Sequence, residues 1–164
     1  MSYVRVLYLR DGRELYAPGL AYATAASVGL DLRACPASDA EGWLPDSDGI
    51  PALTLEPGQR APVPAGLAVE PLEPGIAGFV YSRSGLGAVK GLTVAQGVGV
   101  IDPDYRGEIT VWLLNTAAVP LSIQRGERVA QLVFQPVARP EPVEVDALGD
   151  TERGTGGFGH TGRQ

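Results

Sequence analysis

Short apolar runs rich in valine, leucine and isoleucine recur along this chain, separated by polar residues and broken by glycine and proline. VRVLYL (4–9), LTLEP (53–57), QRAPV (59–63), LAVEP (67–71), GFVYS (78–82), LTVAQ (92–96), EITVWLLN (108–115), LSI (121–123) and RVAQLVFQPV (128–137) read as strands. No sustained apolar repeat at i, i+3, i+4 and i+7 accompanies them, and the one helical piece expected is a short turn near SGLGAVKGL (84–92). Without helices to cover a parallel sheet, the pattern predicts an all-β single domain: a sandwich, a jelly roll or a distorted barrel. PDYRG (103–107) is expected to join its flanking runs as a hairpin, with Pro103 pre-set for the turn and Gly107 able to take positive φ; QRGE (124–127) should do similar work.

Two stretches depart from that rhythm. PASDAEGWLPDSDGIPA (36–52) is acidic and turn-rich, and reads as an inserted surface loop. Its DSDG resembles the opening of a calcium loop, but the remaining ligand positions and the distal glutamate are missing. TERGTGGFGHTGRQ (151–164) is too small and polar to bury itself, which predicts a body over 1–150 followed by a flexible tail.

Composition narrows the chemistry. At 164 residues and 45% hydrophobic, the chain suits one core. A net charge of −6 argues against a sequence-independent nucleic-acid binder, which needs many cations against phosphates. No run reaches the roughly 18 apolar residues of a membrane span, and MSYVRVLYLR lacks a basic region followed by an apolar block, so the expectation is a cytoplasmic protein. The single cysteine, Cys35, forbids an internal disulfide, and the single histidine, His160, removes most triad and zinc chemistry. Carboxylates must then do any acid-base work, and an oxygen-rich site favours magnesium or calcium.

Three places hold candidate chemistry. Asp102 ends the apolar run GVI immediately before a polar turn; it is either a turn residue or a carboxylate held at a strand end. In YSRSGLG (81–87), Arg83, the Ser84 hydroxyl and the N–H groups near Gly85 suit a phosphate, although the P-loop pattern is absent; read alone, the stretch serves equally as a strand-to-turn junction. In the tail, Arg153 can pair with phosphate oxygens, glycine N–H groups can wrap an anion, and Phe158 can cover a flat base. An inert glycine-rich terminus is the plain alternative.

Together and in order, ATAASVGLDLRA (23–34), SRSGLG (82–87), GVIDPDYRGE (99–108), RGERVAQLVF (125–134) and RGTGGFGHTG (153–162) resemble the five motifs of the trimeric deoxyuridine triphosphate nucleotidohydrolases, the dUTPases. The likeness spans nearly the whole chain. It implies a jelly-roll-like β-barrel, a homotrimer whose sites are shared between subunits, magnesium, and conversion of dUTP to dUMP and pyrophosphate. It casts Asp102 as the catalytic aspartate that engages the 3′-hydroxyl and orients and deprotonates a water. Tyr105 would pack under the deoxyribose and exclude a 2′-hydroxyl. Gln96 and the backbone of Val98, Gly99 and Val100 would read the uracil. Arg83, Ser84, Gly85 and Gln131 would contact the phosphate chain, and Asp31 would hold water on the magnesium rather than ligate it. Read without that resemblance, Asp31 is a turn aspartate after Gly29 and Gln131 a core amide. Arg153, Gly159, His160 and Thr161 would reach the γ-phosphate end, while Phe158 stacks on the base as the tail closes.

Some positions depart from the family pattern. His160 stands where serine is usual, and as a donor that gains charge it predicts an altered pH dependence between about pH 6 and 7. Tyr81 and Ser82 stand where a proline commonly precedes the arginine, Gly87 where alanine is common, and Gln96 where some members carry asparagine. The 36–52 insertion is longer than the pattern leads one to expect. Competing readings are the related dCTP deaminase, a dUTPase-like regulatory protein using 36–52 as a partner surface, and a plain β-sandwich binding module.

Overall fold

In the strand Thr110–Asn115 the alternation of the sequence becomes burial: Val111 and Leu113 point into the core while Thr110 and Trp112 face out. The computed structural model describes residues 3–158 and 160, and among them the chain forms twelve strands. These are β1 (Val4–Tyr8), β2 (Leu30–Arg33), β3 (Trp43–Pro45), β4 (Pro51–Leu55), β5 (Arg60–Pro64), β6 (Leu67–Pro71), β7 (Ile76–Ser82), β8 (Leu92–Val94), β9 (Gly99–Ile101), β10 (Thr110–Asn115), β11 (Leu121–Gln124) and β12 (Arg128–Pro136). All pair antiparallel, in sheets ordered β1-β6, β5-β10-β8, β11-β4-β3 and β2-β12-β7-β9. The result is the expected jelly-roll-like β fold. Among the described residues helix is confined to α1 (Gly12–Leu15) and one π-type turn, Gly85–Val89, inside the stretch where a short helical piece was expected.

Leu32, Leu55, Leu67, Leu92, Ile109, Leu113, Ile123 and Leu132 lie fully inside, each contributing roughly 1.5–3 kcal/mol of hydrophobic burial. The one buried polar side chain among the described residues, Asn115, is satisfied on both ends. Its amide donates to the Leu55 and Val119 carbonyls, and its oxygen accepts from the Ala117 N–H. Pro62 and Pro64 are tolerated in β5 because that strand is a sheet edge and pairs only with β10.

Three sequence expectations change. PDYRG does not close a hairpin: β9 pairs with β7, whereas β10 pairs with β5 and β8, so 102–109 is a corner carrying the chain from one sheet to another. QRGE is likewise a corner, between β11 on β4 and β12 on β2 and β7. The acidic stretch 36–52 is an arm rather than a plain loop. Trp43 in β3 packs on the core, and Asp46 Oδ1 accepts from the N–H groups of Asp48 and Ile50 to shape the turn into β4. Strand β2 escaped the sequence reading, since its four residues are flanked by small ones and gain their stability from β12, about a hundred positions away.

Candidate active site

Two clefts open along the four-stranded sheet, and β7 connects them. Gly99, Val100 and Ile101 of β9 pair with Val80, Phe79 and Gly78 of β7, which brings Asp102 opposite the start of that strand. There the exposed Asp102 lines an open cleft of about 430 Å³ with Phe79, Val100, Pro103, Asp104 and Arg139. Because β9 is the edge of its sheet, one side of its backbone is left for another partner.

The corner that follows is closely tied down. Tyr105 N–H donates to the Asp102 carbonyl at 3.1 Å, and the Tyr105 hydroxyl donates to the Glu108 carbonyl at 3.0 Å. The ring lies against Gly107, where an added Cβ would meet the hydroxyl at 2.4 Å, so any larger residue would displace the tyrosine. Arg106 donates to the Pro103 and Tyr105 carbonyls and pairs with Glu70, which also pairs with Arg5. These donors hold the Glu70 carboxyl below its usual range, with the Arg5 hydrogen bond the largest cause.

At the far end of β7 lies the second cleft, about 290 Å³, lined by Arg83, Ser84, Gly85, Lys90, Glu127 and Gln131. Gln131 of β12 sits between Asp31 of β2 and Tyr81 of β7, and Gly29 makes room for its side chain, since a Cβ there would come within 3.2 Å of it. Asp31, on the outward face of β2, accepts from Arg83 Nε at 2.9 Å and from Arg128 Nη1 at 3.1 Å. It therefore fixes two guanidinium groups beside the cleft, and each carboxylate oxygen retains a further lone pair for water. The N–H groups of Leu86 and Gly87 bond to the Arg83 carbonyl, so the π-type turn braces Arg83.

From Ala77, beside Asp102, to Arg83 is six residues of strand, roughly 20 Å at about 3.3 Å per residue. Within one chain the nucleoside candidates and the phosphate candidates are therefore apart. Gln96 lines a third cleft with Arg60, Ala95 and Trp112, while Val98 is exposed and Gly99 buried. In the tail, Arg153 Nε donates to the Gly156 carbonyl at 2.8 Å, Phe158 is fully exposed, and the His160 N–H bonds to the Gly157 carbonyl. Gly159 and Thr161 lie outside the described residues. The sequence reading missed Lys90 and Arg139, cations of the two clefts, and Arg128, although each is legible as a basic residue near a motif.

A family model described as dUTPase matches residues 50–162. The deoxyuridine 5′-triphosphate nucleotidohydrolase of Desulfitobacterium hafniense is 44% identical over 159 residues, covering 97% of this chain and 95% of that one. The enzyme of the same name from Escherichia coli is 42% identical over 161 residues, covering 98% and 97%. A mutant dUTPase of Staphylococcus bacteriophage 80alpha, solved with dUpNHpp, shares the fold with a TM-score of 0.78 at 22% identity, covering 98% of both chains. A mutant dUTPase from phage phi11 of S. aureus, described with a structural Mg(II) ion, has a TM-score of 0.71 at 20% identity, covering 90% of this chain and 99% of that one.

Proposed function

The chain belongs to the dUTPase family, and we propose that it hydrolyses dUTP to dUMP and pyrophosphate by attack of water on the α-phosphorus. Such an enzyme keeps uracil out of DNA and supplies dUMP for thymidylate synthesis. One observation carries the reading: Asp102 stands exposed in an open cleft, at the end of an edge strand, and the tyrosine of the following turn is held by its hydroxyl on the Glu108 carbonyl and its ring against Gly107. An aspartate so held can accept a hydrogen bond from the 3′-hydroxyl and take a proton from water, and its strand supplies the positional accuracy that attack requires. Tyr105 lies two residues past the acid's neighbour and would press on the sugar where a 2′-hydroxyl must fit. The free edge of β9 suits the donor and acceptor pattern of uracil, as a neighbouring strand would.

The roughly 20 Å between Asp102 and Arg83 favours a site assembled from more than one copy of the chain, a homotrimer in this family's manner. One chain would present the nucleoside cleft, another the Arg83, Ser84 and Gln131 cleft, and a tail would close over both. Arg153, Phe158, Gly159, His160 and Thr161 would act in that closure, excluding water and strengthening each charge contact. The guanidinium groups of Arg83 and Arg153 would oppose the charge that builds on the departing pyrophosphate.

Magnesium fits as the triphosphate's companion. Among the described residues no three His, Cys, Asp or Glu side chains gather into a cage, and an ion held chiefly by phosphates and its own waters needs none. Asp31 and Gln131 would hold those waters. When bound, the ion would neutralise phosphate charge. No described helix is long and apolar enough to cross a membrane, and the buried free thiol of Cys35 suits a reducing cytoplasm.

Pyrophosphate release from dUTP, dCTP, dTTP and UTP, measured for the parent and for Asp102→Asn, tests the reading. Release from dUTP alone, abolished in the variant, is expected. Ammonia from dCTP would indicate the deaminase instead, and no release from any nucleotide a binding protein.

A further inference from the structure

We propose that the Arg10–Glu108 ion pair, which lines neither cleft, is a positioning device that sets how strictly the site rejects ribose; this rests on the dUTPase reading above. Rejection of a 2′-hydroxyl depends on where the Tyr105 ring stands, to within a fraction of an ångström. The ring's outer end is fixed by its hydroxyl, and the hydroxyl is held by the main-chain carbonyl of Glu108. Movement of Glu108 therefore moves the ring.

Glu108 is held by the main-chain bond of the neighbouring Ile109 N–H to the Leu67 carbonyl and, on its side-chain end, through its carboxylate. Oε1 accepts the Gly66 N–H at 2.7 Å, Oε2 accepts from Arg10 Nη1 at 2.9 Å, and Arg10 Nη2 bonds to Oε1 as well. The pair is two-pronged, which adds direction to what would otherwise be a weak surface contact. Arg10 Nη2 also donates to the Cys35 carbonyl at 3.0 Å, so the guanidinium is anchored to a buried residue.

The anchor is itself rigid. Arg10 has a φ of +50°, a conformation that non-glycine residues seldom adopt and that persists where surroundings over-determine it. On either side of it, Leu9 N–H bonds to the Gly66 carbonyl and Gly12 N–H to the Leu9 carbonyl. Gly66, at φ +69°, leaves no room for a side chain: a Cβ there would come within 2.4 Å of the Cys35 sulfur. A Cβ on Gly12 would strike the Gly66 carbonyl oxygen at 2.3 Å. The strained turn at Arg10 thus fastens the corner of 102–109 to the start of β6 and the end of β2. Its hydrogen bond to Glu108 is also the chief reason that the Arg10 guanidinium holds its proton more tightly than usual.

The test is kcat/KM on dUTP and on UTP for the parent, Glu108→Ala, Arg10→Met and Glu108→Gln. The first two variants are expected to lower the dUTP-to-UTP ratio about tenfold, chiefly through a rise in kcat/KM on UTP. Glu108→Gln, which still accepts the Gly66 N–H but loses the charge and the second acceptor for Arg10, should recover only a minor part of the lost ratio. A merely structural role would lower the active fraction and the melting temperature but not the ratio, because active fraction cancels between substrates. Should both truncations fail to fold, Arg10→Lys, which keeps the charge and loses the fork, carries the same readout. A ratio equal to that of the parent overturns the proposal, whereas a parent that leaves dUTP intact overturns the reading on which it rests.

Discussion

The corner at 102–109 and the tail from 151 onward both carry residues of the proposed site, and they are built in opposite ways. In the corner, Tyr105, Arg106, Gly107 and Glu108 are fixed by ring contact, main-chain bonds and ion pairs to Arg10 and Glu70. In the tail, the bonds of Arg153, Gly154, Gly156 and His160 stay within the segment itself, and Phe158 touches solvent. The difference teaches a division of labour. A group that must aim at a reacting atom sits on scaffold, and groups that must let substrate in and product out sit on chain with few bonds to the body.

The largest expected effect lies in the corner. Asp102→Asn keeps shape and hydrogen-bonding capacity but cannot accept a proton, and kcat should fall about 10³-fold with KM nearly unchanged. Ending the chain at Asp150 tests the other side of the comparison. Activity should fall about 10²-fold in kcat/KM while the melting temperature stays at that of the parent, because the described tail residues other than Gly156 are all exposed. A lowered melting temperature would break the comparison.

Gly107→Ala would sharpen it from within the corner. The added methyl displaces Tyr105, so discrimination against UTP should drop about tenfold with a stability loss of about 1–3 kcal/mol by thermal melts. His160→Ser is expected to change kcat/KM on dUTP a few-fold; an unchanged value would show that the histidine plays no part in closure. The smallest effect concerns the fastening of Arg106. Glu70 titrates below its usual 4.5, so the stability it adds is present above that value and is lost as pH falls through its lower folded value. The melting temperatures of the parent and Glu70→Gln should therefore differ at pH 6 and converge in more acidic buffer.

What could be read from the sequence followed from local signals. Short apolar runs located β1, β6, β10 and β12 because one face of each is buried, and the order of short motifs singled out Asp102, Arg83 and Gln131. What escaped was set by distant partners. β2 forms because Leu30 and Leu32 find β12, and PDYRG turns between sheets because β9 finds β7 rather than β10. The pairing of Asp31 with Arg83 and Arg128 joins three segments that no spacing rule connects. Arg10 and Glu108 are 98 positions apart, and nothing in either local sequence names the other.

The central claim is that one nucleotide is handled by clefts on different copies of the chain. Mixing equal amounts of Asp102→Asn and Arg83→Ala chains, unfolding and reassembling them together, and measuring pyrophosphate release from dUTP tests it most directly. Each variant alone should be nearly inactive. If the two residues meet across an interface, the mixture should recover about a quarter of parental activity, the fraction of sites drawing both intact residues by chance. A mixture no more active than its components would contradict the account.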